Sequence, residues 1–188
     1  MKKTLSIIIL SLITSAFLHA QTKDLKYQVF AGTDYPGFAS FTTANNVSST
    51  IPFHIGAKYY INEKMSVGLI YDRSSAQSKD IVFTAYTWNR TFTYNCILAT
   101  FDYSWKRTDK YNLYSGIGIG NQDESYTTTI TKGTGTPAPE KLVNNGFAIQ
   151  LVFIGIHHKI GSSKFGYYGQ LAWPVNGFIN AGISYNIR

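Results

Sequence analysis

The sequence predicts an all-β protein, an eight-stranded antiparallel up-and-down transmembrane β-barrel. Three observations predict it. The chain of 188 residues holds 14 Tyr, 12 Phe and 16 Gly; Tyr, Phe and Thr favour strands, and Gly marks turns and close packing. Segments of about ten residues alternate apolar with small or polar side chains, the pattern of a strand whose two faces see different surroundings. The gaps between those segments alternate short with long, which gathers tight turns at one end of an up-and-down sheet and loops at the other.

The first twenty residues stand outside the barrel. Met1-Lys2-Lys3 is basic, Leu5 to Leu18 is mostly apolar, and Ser15, Ala16 and Ala20 are small residues before Gln21. That is the layout of a cleaved secretory signal, with an apolar core too short to span a membrane as a helix. The expected domains are a signal peptide over 1–20, cleaved near Ala20, and one barrel over 21–188. No cysteine follows the apolar core, so no lipoprotein anchor is expected, and no later apolar run approaches the ~18 residues of a transmembrane helix. The formal charge is +7, from 17 Lys and Arg against 10 Asp and Glu. Removing Lys2 and Lys3 leaves 15 basic residues against the 10 acidic ones, or +5, and the charges are scattered singly. With no basic cluster interleaved with aromatics, a nucleic-acid partner is not expected. Cys96 is the one cysteine, so the fold is expected to hold without a disulfide.

Alternation places each strand. In 25–34, Leu25, Tyr27, Val29 and Ala31 oppose Lys26, Gln28, Phe30 and Gly32. In 51–61, Ile51, Phe53, Ile55, Ala57, Tyr59 and Ile61 share one face, and His54, Gly56, Lys58 and Tyr60 share the other. The turn Asn62-Glu63-Lys64 leads into the third strand, 65–72. The fourth, 91–105, is joined by 106–110 to the fifth, 111–120, where Leu113, Ile117 and Ile119 oppose Asn112, Tyr114, Gly116 and Gly118. The sixth, 146–158, is apolar on both sides: Phe147, Ile149, Leu151 and Phe153 against Val152, Ile154 and Ile156. A bulge near Gly155 would swap its faces. Beyond 159–164 the seventh, 165–173, sets Phe165, Tyr167, Leu171 and Trp173 against Gly166, Tyr168, Gln170 and Ala172. The eighth, 178–187, sets Ile179, Ala181, Ile183, Tyr185 and Ile187 against Asn180, Gly182, Ser184 and Asn186. The long gaps are 35–50, 73–90 and 121–145, with 174–177 a shorter one.

Aromatic residues indicate which face meets lipid. Tyr27, Tyr59, Tyr103, Trp105, Tyr111, Tyr167 and Tyr185 all fall on the apolar face near the short-turn end. Amphipathic rings collect where one end can be apolar and the other wet, so these seven read as the aromatic belt of a membrane interface. The polar face then lines the lumen. Lys58 and Asp102 each lie a few residues before a short turn, on strands two apart and at similar depth. A charge taken out of water needs a partner, so a lumen network of Lys58 and Asp102 is expected, with Lys26 and Tyr60 nearby. A plainer reading lets each charge reach water at the rim.

No catalytic, cofactor-binding or metal-binding residue is expected. His19 leaves with the signal, His54 stands alone, and His157 and His158 are adjacent and point to opposite faces. A metal or a nucleophile needs converging partners. Recognition is expected in the loops. The 73–90 segment carries Ile81, Phe83, Tyr86 and Trp88, more apolar surface than a passive connection needs, and 121–145 includes the Thr-, Gly- and Pro-rich stretch 126–139. A surface ligand would bind there, although the same residues also suit strands that extend above a bilayer.

The run His54-Ile-Gly-Ala-Lys-Tyr-Tyr-Ile-Asn-Glu-Lys-Met-Ser-Val-Gly68, the run Tyr114-Ser-Gly-Ile-Gly-Ile-Gly120 and the ending Gly182-Ile-Ser-Tyr185 resemble the small outer-membrane β-barrels of the outer membrane protein A and X type. The likeness covers 21–188 and lies in strand and turn patterns. It implies a barrel surrounded by the lipid of a Gram-negative outer membrane, inserted by the barrel assembly machinery, with periplasmic termini. The chain departs from the family by ending on Arg188 where Phe or Trp is common, and it lacks the peptidoglycan-binding extension, so no cell-wall tether is expected. Eight strands leave an interior filled by side chains, which disfavours a general diffusion pore. The expected role is non-enzymatic, structural or adhesive through the loops. Two other classes compete with it. A barrel enzyme acting on lipid A acyl chains would need a His-x-Ser spacing that His54, His157 and His158 do not offer. A secreted lipocalin-like barrel would bury the hydroxyls of Tyr27, Tyr59 and Tyr185.

Overall fold

The computed structural model describes residues 27–35, 47–83, 86–133, 142–175 and 177–187. Residues 1–20, where a signal peptide is expected, and Lys26 and Arg188 lie outside the described residues. The strands are β1 (Tyr27–Tyr35), β2 (Val47–Ser49), β3 (Phe53–Tyr60), β4 (Met65–Phe83), β5 (Tyr86–Arg107), β6 (Tyr111–Gly133), β7 (Leu142–Lys159), β8 (Phe165–Pro174) and β9 (Ile179–Ile187). β1 and β3 to β9 form a closed eight-stranded barrel in which successive strands pair antiparallel. The seam is the pairing of β9 with β1, from Tyr27 opposite Ile187 to Tyr35 opposite Ile179. β2 continues β3 along β4 after an interruption at Thr50-Ile51-Pro52, where proline lacks the amide that a ladder needs.

Each short turn is closed by a side chain that takes over backbone amides. Asn62 Oδ1 accepts from the amides of Lys64 and Met65 at 2.8 and 2.9 Å, Thr108 Oγ1 from Lys110 and Tyr111 at 3.3 and 3.1 Å, and Ser163 Oγ from Phe165 at 3.2 Å. Such side chains imitate a backbone turn, which is why Asn, Thr and Ser sit there.

The two long gaps expected at 73–90 and 121–145 are corrected. β4 runs on to Phe83 and β5 begins at Tyr86, while β6 runs on to Gly133 and β7 begins at Leu142. β4 to β7 are thus 19, 22, 23 and 18 residues long, against 9, 8, 10 and 9 for β1, β3, β8 and β9. A bilayer takes about 9–11 residues of tilted strand, so half the wall ends near that length and half rises well past it. The cause is visible in the residues: 73–90 contains no Gly or Pro, and 121–132 none either. Both stretches keep Ser, Thr and Tyr, with nothing to stop the ladder.

The sixth predicted strand resolves its two apolar faces with a bulge. Register shifts between Val152 and Ile154 on the β8 side, and opposite Tyr114 and Gly116 on the β6 side. Phe153 and Ile154 both point outward, so Phe147, Ile149 and Leu151 share the outer surface with Ile156, while Ala148, Gln150, Val152, Gly155 and His157 turn inward.

Inside, large residues are paired with glycine. Phe30 stands opposite Gly56, Lys58 opposite Gly68, Asp102 opposite Gly116, Tyr114 opposite Gly155 and Tyr168 opposite Gly182. A Cβ at Gly155 would lie 2.3 Å from the Tyr114 ring, and one at Gly116 would lie 2.1 Å from the Asp102 carboxylate. The lumen is wide enough for one member of each pair. A Gly155→Val exchange should therefore cost about 1–3 kcal/mol, as overpacking does. Its cost combined with Tyr114→Ala should fall well short of the sum of the two single losses, because both act on the same space. Urea unfolding of the four proteins in detergent checks this.

Candidate functional site

The barrel is inside out relative to a water-soluble one. Val29, Ile55, Leu69, Ile97, Ile117, Ile149, Leu171 and Ile183, one from each of the eight barrel strands, are exposed on the outer surface. Gln28, Asp34, His54, Lys58, Asp72, Asp102, Gln150, Gln170, Asn180 and Asn186 are buried. A continuous apolar band far exceeds the patches of a few hundred Å² that soluble monomers tolerate. The seven belt residues lie on this outer surface: Tyr27, Tyr103, Trp105 and Tyr167 exposed, Tyr59, Tyr111 and Tyr185 half-buried. Cross-strand ring pairs link them, Tyr27 with Tyr59 at 5.2 Å and Phe165 with Tyr185 at 5.0 Å, and His158 stacks on Tyr167 at 4.9 Å. Exposed Tyr35, Phe53, Phe147, Trp173 and Phe178 ring the other end. That second girdle escaped the sequence reading because most of it borders segments read as loop.

Two polar layers fill the lumen. In the one nearer the short turns, Lys58 Nζ lies 2.7 Å from Asp102 Oδ2. Gly68 and Gly116 leave the room for this meeting, and Lys58 also sits over the rings of Tyr114 (4.5 Å) and Phe30 (5.3 Å). Ser66 Oγ donates to Asp102 at 3.4 Å. Tyr60 belongs to a neighbouring chain of bonds: its hydroxyl donates to Gln28 Oε1 at 3.2 Å, and Gln28 Nε2 donates to Asn186 Oδ1 at 3.0 Å. The Arg107 guanidinium covers the Tyr60 ring at 4.5 Å. His157 Nε2 meets Ser184 Oγ at 2.7 Å, on the lumen side. The strand phases set His157 and His158 on opposite faces.

The second layer was not anticipated. His54, which the sequence leaves alone, stands directly opposite Asp72 on β4, and its Nδ1 lies 2.8 Å from Asp34 Oδ1 on β1. Its Nε2 bonds the Tyr168 hydroxyl. Asn180 Nδ2 donates to Asp34, Gln170 Nε2 donates to Asn180 Oδ1 at 2.8 Å, and Tyr114 donates to Gln170 Oε1 at 3.2 Å. The signal was present: a turn centred on 62–64 counts residue 54 opposite residue 72. Position 34 cannot be counted this way, since a long connection separates β1 from β3.

Past the barrel, the inner face of the extended sheet carries a cation stacked on aromatics. The Arg90 guanidinium lies 4.4 Å from the Trp88 ring, 4.8 Å from Tyr126 and 5.9 Å from Phe92. The expected recognition residues near 73–90 are thus strand residues of a raised sheet.

No model of a known protein family matches the chain, and no curated protein matches it. Among solved structures, it is similar to the attachment invasion locus protein Ail of Yersinia pestis, crystallised in complex with the heparin analogue sucrose octasulfate. That match has 9% identity over 87% of this chain and 97% of that one, with a TM-score of 0.48. It is also similar to the N-terminal β-barrel domain of Pseudomonas aeruginosa OprF, at 9% identity over 88% of this chain and 100% of that one, TM-score 0.48.

The Lys58–Asp102 pair makes a sharp expectation. Lys58→Met strands the Asp102 charge in the lumen and should cost about 3–5 kcal/mol. The double variant Lys58→Met, Asp102→Leu removes both charges and should recover much of that loss, read from urea midpoints in detergent.

Proposed function

We propose that the protein is an integral outer-membrane β-barrel without enzymatic activity, acting as a structural or adhesive element through the sheet raised above the membrane. The observation that carries this reading is the encircling apolar band, bounded by aromatics at both ends, around an interior that holds the buried charged and polar groups. Water would make that arrangement costly, whereas lipid requires it: the strands pair all the way round a closed wall, with no free edge in the bilayer.

The lumen disfavours a diffusion pore. The void among Gln28, Phe30, Lys58, Tyr114, His157, Tyr168 and Gln170 measures about 10 Å³, which is at most one water. An acyl-chain hydrolase is disfavoured too, because the His157–Ser184 pair is turned into the lumen at the short-turn end, away from acyl chains. Outer-membrane lipid and the barrel assembly machinery are the partners this reading requires. A surface ligand would engage the raised hairpins, where Arg90 and its three rings offer a flat cationic and aromatic face.

Three measurements test this. The protein should stay with the outer-membrane fraction until detergent is added, and should migrate differently on gels before and after boiling; release without detergent together with unchanged migration would refute membrane insertion. Leu69→Arg, in the middle of the outer band, should weaken folding into bilayers by about 2–4 kcal/mol, whereas a soluble barrel would accept it on its surface. Mass profiles of lipid A should be the same with and without the gene.

A further inference from the structure

Asp34, His54 and Asp72 are 3%, 1% and 2% exposed, and each offers one ligand atom to a cluster whose atoms all lie within 4.8 Å of one another. Asp34 Oδ2 and Asp72 Oδ2 have no hydrogen-bond partner although both are buried. Among the described residues neither carboxylate is ion-paired to a lysine or arginine, and Lys58 is already engaged by Asp102. Without a metal, the two carboxyl groups can be joined only by a proton held between them, and an unjoined oxygen buried in a narrow lumen is penalised. A divalent cation satisfies both at once and matches the charge of two carboxylates.

The surroundings are those of a ligand set held for a metal. His54 has its Nε2 taken by the Tyr168 hydroxyl, which turns Nδ1 toward the carboxylates. Asn180 Nδ2 donates to Asp34 from the neighbouring strand. Outer hydrogen bonds of this kind fix the ring and orient the ligands of metal sites. Room for the Tyr168 hydroxyl exists only because positions 32 and 182 lack side chains: a Cβ at Gly32 would lie 2.4 Å from that oxygen, and one at Gly182 would lie 2.8 Å from it. The chain therefore brings three donors from three strands and a supporting tyrosine from a fourth to one point. Two carboxylates with one imidazole suit a borderline divalent ion such as zinc, while calcium takes oxygen alone.

We propose that Asp34, His54 and Asp72 form a divalent transition-metal site inside the barrel. Because all three residues are buried, the metal is supplied both during refolding in detergent and afterwards. Zinc chloride should bind one ion per chain saturably and raise the unfolding temperature, and calcium chloride should do neither. Cobalt chloride should give the visible absorption of a nitrogen- and oxygen-ligated ion in the unaltered protein. Asp72→Asn and His54→Gln should abolish zinc binding, and Tyr168→Phe, which leaves all three ligands in place, should weaken it about 10–100-fold. Gel migration before boiling reports whether each variant has folded. Absence of saturable zinc binding and of a cobalt spectrum in the unaltered protein, or zinc binding unchanged in folded Asp72→Asn, would overturn the proposal.

Discussion

The rest of the structure depends on the width of an eight-stranded lumen. A closed wall of eight strands leaves space for side chains and little else, so each large inward residue needs an empty place beside it. The glycines at 56, 68, 116, 155 and 182 supply those places directly across the ladder from Phe30, Lys58, Asp102, Tyr114 and Tyr168. The inner surface is therefore a mosaic of large and absent side chains, and the polar groups on the large ones come within bonding distance because nothing else fits between them. The ion pair, the Tyr114-Gln170-Asn180-Asp34 relay and the His54 contacts all follow from that geometry.

The same narrowness explains why the solvents can be exchanged. A barrel that packs its interior with bonded polar groups and a few apolar side chains such as Phe30, Ile70 and Leu98 can give most of its large apolar residues to the outside. Phe153 and Ile154 illustrate the rule: an extra residue in β7 lets two consecutive apolar side chains reach the outer surface, after which Gly155 and His157 return to the lumen phase. Without the bulge, Ile154 and Ile156 would occupy lumen positions where polar partners wait.

How much of this was legible follows from where the residues alternate. Within the band, lipid on one side and the lumen on the other impose a strict period of two, and the strands, their facing and the seven lower aromatics can be read directly. Above the band the outward face is no longer apolar and the inward residues are small or polar, such as buried Ser74, Ala76 and Ser78. The alternation fades there, and the segments 73–90 and 121–145 look like loops although 73–83, 86–90, 121–133 and 142–145 continue the ladder. Lys58 and Asp102 could be paired from depth alone, because each precedes a short turn at the same end of the barrel, at 62–64 and 106–110. Asp34 could not be matched to His54 and Asp72, because the long connection between β1 and β3 leaves their register uncounted, with no short turn to fix it.

That closure also shapes how the barrel is made. Every other seam joins strands that follow one another, and three of them turn on self-capped corners at Asn62, Thr108 and Ser163, so those hairpins need only local encounters. The β1–β9 seam joins the two ends of the chain, and its lumen side is stitched by Gln28 to Asn186, 158 residues apart, and by Asp34 to Asn180, 146 apart. The entropy of bringing such distant segments together is lost before any bond forms. The seam thus carries the largest loop-closure cost in the barrel, and closing it brings Asn180 to Asp34.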